Sequence, residues 1–275
     1  MATAPVGAVQ RSHRNVHLVS REIAVIGIAG AIVGVLVGGL GSRIFMRIAG
    51  AVAPDAMQGA TTEAGARIGE ITFGGTIALV VFVGIPTGII GAALAVIFFP
   101  WLTWAGRWRG VAFGVVLFAL ASATSDVMNP DNVDFLLIRN GWLMVLTILA
   151  LFVAFGAALD AAVRALDRHL PSDEAGARFR ALYAVTALVG FLLVASLAPI
   201  ALFTRSFCSC DPPITASTST IVAGAGTVLL WVAGPRSARS RAAALAPYLG
   251  YAGVVGTLGF GLIRVVRDAS DIVIR

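Results

Sequence analysis

The chain has no lysine: all 20 of its basic side chains are arginine. Charge of either sign is scarce. Charged residues make up 12% of the 275 positions, against roughly 25% in soluble domains. That leaves too little polar surface to cover a water-facing globule. Histidine occurs three times, as His13, His17 and His169, each in a polar stretch. A histidine metal site within the bilayer, a bis-histidine haem site and a Ser–His protease pair therefore have no residues to build them. No strongly apolar segment carries a charge at its midpoint, where proton relays and coupled transporters keep an acid or base. The net charge of +6 is scattered among short connections. It forms no basic, aromatic-interleaved surface, so nucleic acid is not an expected partner.

What the chain has in abundance is apolar sequence. Hydrophobic residues make up 58%, the mean hydropathy is +0.91, and there are 31 glycines. Glycine is commoner in membrane helices than in soluble ones. A spanning helix needs about 20 mostly apolar residues, and seven segments approach this. They lie near 23–48, 71–99, 111–125, 142–165, 182–203, 218–234 and 243–265. Backbone groups in lipid must pair within the segment, so the expected fold is all-α, a polytopic transmembrane helix bundle of about seven spans. The expected organisation is a polar cytoplasmic segment at 1–22, one transmembrane domain at 23–267 and a short tail at 268–275. Pro86 and Pro199 fall inside the second and fifth segments and mark kinks. Ala49-Gly50-Ala51 matches a signal-peptidase pattern, but the apolar run before it is too long and Arg43 and Arg47 intervene. With the N-terminus inside, twelve arginines fall on the inner side and eight on the outer. The positive-inside rule then favours this orientation. The arginine, alanine, glycine and valine bias matches high-GC bacterial coding, so the expected location is the bacterial cytoplasmic (plasma) membrane.

In the first segment Gly30, Gly34, Gly38 and Ser42 recur every four residues. They form one nearly bare helix face, a glycine zipper that would let another helix approach closely. Arg43 and Arg47 follow directly. In the proposed topology the connection carrying Asp126, Asp131 and Asp134 shares their side. Ions at the edge of a low-dielectric slab are costly unless paired, so an Arg/Asp cluster is the candidate functional or structural site. The alternative is a turn at Asn129-Pro130-Asp131, with Asp131 or Asp134 capping the next helix. The same loop is similar to one Asp-rich, magnesium-binding segment of membrane prenyltransferases. Those enzymes carry two such segments and this chain has one. Asp160-Ala-Ala-Val-Arg164 lacks the signature of membrane phosphatidyl-alcohol transferases, and no EF-hand spacing occurs. No cofactor and no metal are expected.

Trp101, Trp104 and Trp108 cluster with Arg107 and Arg109 and read as an interfacial anchor, or as a lipid-headgroup site. Cys208 and Cys210 are a candidate disulfide on the outer side. A bridge across one intervening residue closes a strained, reducible ring. An intermolecular bridge, free thiols, and a metal or redox role remain the alternatives. Gly84, Gly88 and Gly91 surround Pro86, and a broken helix there is either a close-packed kink or a solute site built from backbone groups.

GLGSRIFMR after a glycine-rich first helix, followed later by DNVDF, is similar to a pattern in uncharacterised multi-pass membrane proteins of actinobacteria-type, high-GC bacteria. The resemblance implies a membrane bundle and no particular activity. The expected role is non-enzymatic: a structural, sensory or partner-subunit bundle contacting the lipid bilayer and other membrane proteins or itself. A small-solute or ion transporter or channel is the first alternative. A lipid-acting enzyme with an acidic site at the outer surface is the second.

Overall fold

The computed structural model describes residues 6–52, 72–128, 141–170, 176, 178–179, 181–190, 192, 214–233 and 241–274. Among the described residues the secondary structure is helical throughout, with no strand. Helix α1 (Val6–Val33) passes through a π-helical stretch, Gly34–Gly41, straight into α2 (Ser42–Val52). Helix α3 (Phe73–Leu79) runs through a second π stretch, Val80–Gly84, into α4 (Ile85–Phe98). Two 3-10 turns lead to α5 (Arg109–Thr124). The remaining helices are α6 (Gly141–His169), α7 (Ala181–Gly190), α8 (Ile214–Ala233) and α9 (Arg241–Ile274).

The stretches Leu18–Ile48, Phe73–Trp101, Gly141–His169 and Ala244–Ile272 are long and apolar enough to cross a membrane. The expected third span is α5, which has 16 residues. It is the most enclosed helix, packed between α6 and α9, with Phe113 and Val116 fully buried. Beyond Leu192, the expected fifth span lies outside the described residues. Around this core, large apolar side chains face outward, among them Phe73 at 83% exposure and Phe82 at 77%. Such a surface is unsuited to water and suited to hydrocarbon. The structure is thus compatible with an integral membrane protein.

Proline explains the second π stretch. Pro86 lacks an N–H, and in a regular helix its ring would press on the carbonyl of Phe82. The wider π turns just before it absorb that clash. The Thr87 hydroxyl donates to the carbonyls of Val83 (2.7 Å) and Gly84 (3.0 Å), which adds local satisfaction at the break. The turn between α4 and α5 depends on Gly106, whose φ of +53° and ψ of −118° suit a residue without a side chain.

Among the described residues, several helix pairs approach to backbone contact. The α1 rod meets the α4 rod through Gly30, Gly34 and Gly38 on one side and Gly84 and Gly88 on the other. A methyl group added at Gly34 would stand 2.6 Å from the Gly88 Cα. One added at Gly30 would stand 2.7 Å from the Gly88 carbonyl oxygen. Helices α5 and α6 meet through Gly110, Gly114 and Gly156. Helices α8 and α9 meet where Gly253 lies against Ala223 and Ser219. Association inside a bilayer relies on this kind of close van der Waals contact.

Gly34→Ala and Gly88→Ala are expected to destabilise the protein by about 1–3 kcal/mol each, the usual cost of overpacking. Gly74 has open space around it. Gly74→Ala should leave stability unchanged or raise it by up to ~1 kcal/mol through helix propensity. Melting temperatures of the three variants in detergent micelles check this contrast.

Candidate functional site

Charged side chains converge at the end of the bundle where α1, α5 and α6 meet. Arg109 is the first residue of α5, where a cation opposes the helix dipole. It is held there by Asp160 of α6, a carboxylate with 0% exposure. Arg109 donates to Asp160 Oδ1 from Nε at 2.8 Å and from Nη2 at 2.5 Å. Arg164, one turn further along α6, brings its Nη1 to 2.7 Å from Asp160 Oδ2. That second contact is an ion pair without hydrogen-bond geometry. One buried carboxylate thus holds two guanidinium groups. The Arg109 guanidinium also lies 4.4 Å from the centre of the Phe99 ring, a cation–π contact. Phe99 in turn meets Phe113 edge-on at 5.0 Å, so the charge sits directly on the apolar core.

Glycine makes this geometry accessible. A Cβ at Gly110 would stand 2.7 Å from both the Asp160 Cβ and the Gly156 carbonyl oxygen. Any side chain there would push α5 away from α6 and draw Arg109 off its partner.

A second contact ties α1 to the same end. Arg21 Nη1 lies 2.5 Å from Asp167 Oδ1, while Nη2 donates to the carbonyls of Asp167 (3.1 Å) and Leu170 (3.2 Å). The last carbonyls of a helix lack intrahelical donors, so Arg21 caps the C-terminus of α6 from another helix. His169 Nδ1 lies 2.7 Å from the Ala165 carbonyl oxygen in the same final turn. Glu22 is exposed, within electrostatic reach of Arg109 and Asp167. In this cluster both Asp160 oxygens are engaged by guanidinium groups. The arrangement suits fastening helices rather than proton transfer. Among the described residues, no group of three or more His, Cys, Asp or Glu is placed to hold a metal ion.

The residues singled out in the sequence are placed as follows. Arg43 lies at the opposite end of the α1 rod and binds neutral groups. Its Nε donates to Thr76 Oγ1 (3.1 Å) and its Nη2 to the Thr72 carbonyl (2.8 Å). Arg47 is exposed, and the Ser42 hydroxyl donates to the Gly38 carbonyl. Asp126 opens a 3-10 turn, Asp126–Met128. Asp131, Asp134, Cys208 and Cys210 lie outside the described residues, and with them the expected Arg/Asp pairing and the disulfide. Trp104 and Trp108 are exposed, with Arg107 5.3 Å from the centre of the Trp108 ring. Trp101 departs from the expected anchor. It is 3% exposed, and its indole Nε1 donates to Thr227 Oγ1 at 2.9 Å. Its ring packs against Gly250 and meets Tyr251 edge-on at 5.9 Å. A buried hydroxyl satisfies the indole N–H, which removes its reason to stay at a wet interface.

In the sequence Asp160 stands in a segment that matches no enzyme signature, so no motif there marks the cluster as a site. The available signal was spacing: Asp160, Arg164 and Asp167 are four and three residues apart, which stacks them on one helix face.

No protein-family model, no curated protein and no solved structure matches the chain.

Asp160→Ala should destabilise the protein by about 3–5 kcal/mol, because it strands the Arg109 guanidinium at the core boundary. The double variant Asp160→Leu with Arg109→Met should recover most of that loss. Arg21 and Asp167 should couple by less than ~1 kcal/mol, since Asp167 is 59% exposed. Double-mutant cycles by detergent denaturation measure all three.

Proposed function

We propose that this chain is a non-enzymatic multi-pass protein of the bacterial cytoplasmic membrane, with its N-terminus inside. It serves as a structural or partner subunit that docks on other membrane proteins or on a second copy of itself. The observation that carries this reading is the state of the buried charge. Asp160 is committed to Arg109 and Arg164, which suits a fastener more than an acid, base or ion ligand. The close helix seams support the same reading, because they use small residues to bring backbones together. The positive-inside count supports the orientation.

The protein should be extracted from its own membrane into polymer nanodiscs and its mass measured. A particle of defined mass, larger than one 28.3 kDa copy and its lipid, is the expected result. A particle holding a single copy and nothing else would remove the partner-subunit reading. Proton or potassium flux in vesicles that contain only the purified chain, above that of empty vesicles, would favour a transport role instead.

A further inference from the structure

We infer that α3 is a movable segment, hinged on the π stretch Val80–Gly84 and held against α2 by Arg43. The inference is independent of the proposed function.

Three observations meet here. The first is the lack of burial. None of the residues of α3 is buried, and Phe73 and Ile77 are exposed at 83% and 49%. The segment packs on the Gly34–Gly41 stretch and on α2, so little apolar contact opposes its departure. The second is the break beneath it. A π stretch, Gly84 and Pro86 follow in succession, a combination that bends helices; π turns are frequent at functional sites. Gly84 sits against the Gly39 backbone, so the pivot is anchored to the α1 rod while α3 extends beyond it. The third is the latch. Arg43 reaches from α2 to Thr72 and Thr76 with two hydrogen bonds. Thr72 is also the N-cap of α3, its hydroxyl accepting from the Gly75 N–H at 3.1 Å. The latch therefore grips the tip of the segment, at the point farthest from the hinge.

The contrast with the other end of the bundle supports this assignment. There, ion pairs through Asp160 and Asp167 tie α1, α5 and α6. At the α3 end Arg43 binds a carbonyl and a hydroxyl, both neutral. It also sits beside a helix N-terminus, whose dipole repels a cation. The contact is directional and weak enough to reverse.

The test is pulsed electron–electron distance measurement on the full chain in nanodiscs, with Cys208→Ser and Cys210→Ser as background. A label pair at Ile44→Cys and Phe73→Cys spans the latch. A control pair at Leu18→Cys and Ala161→Cys lies near the opposite end. Arg43→Gln should raise the ratio of long to short distances across the latch by about tenfold, as expected for losing charge-assisted hydrogen bonds, and leave the control pair unchanged. Thr76→Val removes an acceptor without touching the arginine and should act in the same direction; it replaces Arg43→Gln if that variant does not fold. Pro86→Ala, added to either variant, should restore the short distance by straightening the hinge. An unchanged latch distribution in the folded latch variants would overturn the proposal. So would equal broadening of both pairs, which would mean general loosening.

Discussion

Backbone-to-backbone contact between helices is the constraint on which the rest of this structure depends. In lipid, an apolar side chain gains little by moving from hydrocarbon into a protein core, so helices associate through close dispersion contacts. Here Gly30, Gly34, Gly84 and Gly88 remove the side chains from one crossing, and Gly110, Gly114 and Gly156 do so at another. The second crossing also sets the electrostatics. Only because α5 can lie directly on α6 does Arg109 reach a carboxylate with no exposed surface. Packing and charge at this end are thus one arrangement, and neither could be altered alone.

The two ends of the α1 rod follow different rules. At the Arg21 end, cations meet carboxylates and the terminal carbonyls of α6, and three helices are bound together. At the Arg43 end, a cation meets a threonine hydroxyl and a carbonyl. A charged partner gives strength, whereas a neutral one gives direction with less strength. Between the ends lie two π-helical stretches side by side, where helical geometry is already relaxed. The kind of interhelical tie therefore changes along the molecule, from ion pairs at one end to hydrogen bonds with neutral acceptors at the other.

The helical class was legible in the sequence because hydropathy over twenty-residue windows is a strong signal. The bare face of the first helix was legible too, since glycine every four residues has one geometric meaning. Its placement against Gly84 and Gly88 was not, because nothing local to residues 30–38 says which helix will lie there. The contacts of Arg43 with the neutral Thr72 and Thr76 are not legible in the sequence, because charge points to carboxylates and nothing local to Arg43 points to a hydroxyl or a carbonyl about thirty positions away. The expected helix already covers Asp160, and the observed one continues to His169, but nothing local says that this turn faces the core, so a buried carboxylate has the sequence neighbours of a solvated helix end. Trp101 failed for a related reason: a tryptophan at an interface and one in a core have the same neighbours in sequence. What separated them was Thr227, 126 positions away.

The cap that Arg21 places on α6 has a consequence for how the molecule is made. It joins positions 146 apart. The first long helix leaves the ribosome well before its partner exists, so its arginine must stay hydrated or in contact with headgroups throughout that interval. Completion of α6 removes it from that environment. Assembly of this end is then a late event, coupled to the synthesis of Gly141–His169, the third of the long apolar stretches. A nascent chain cut off before Asp167 contains Gly84 and Gly88, the partners of its glycine face, but lacks the carboxylate that takes up Arg21.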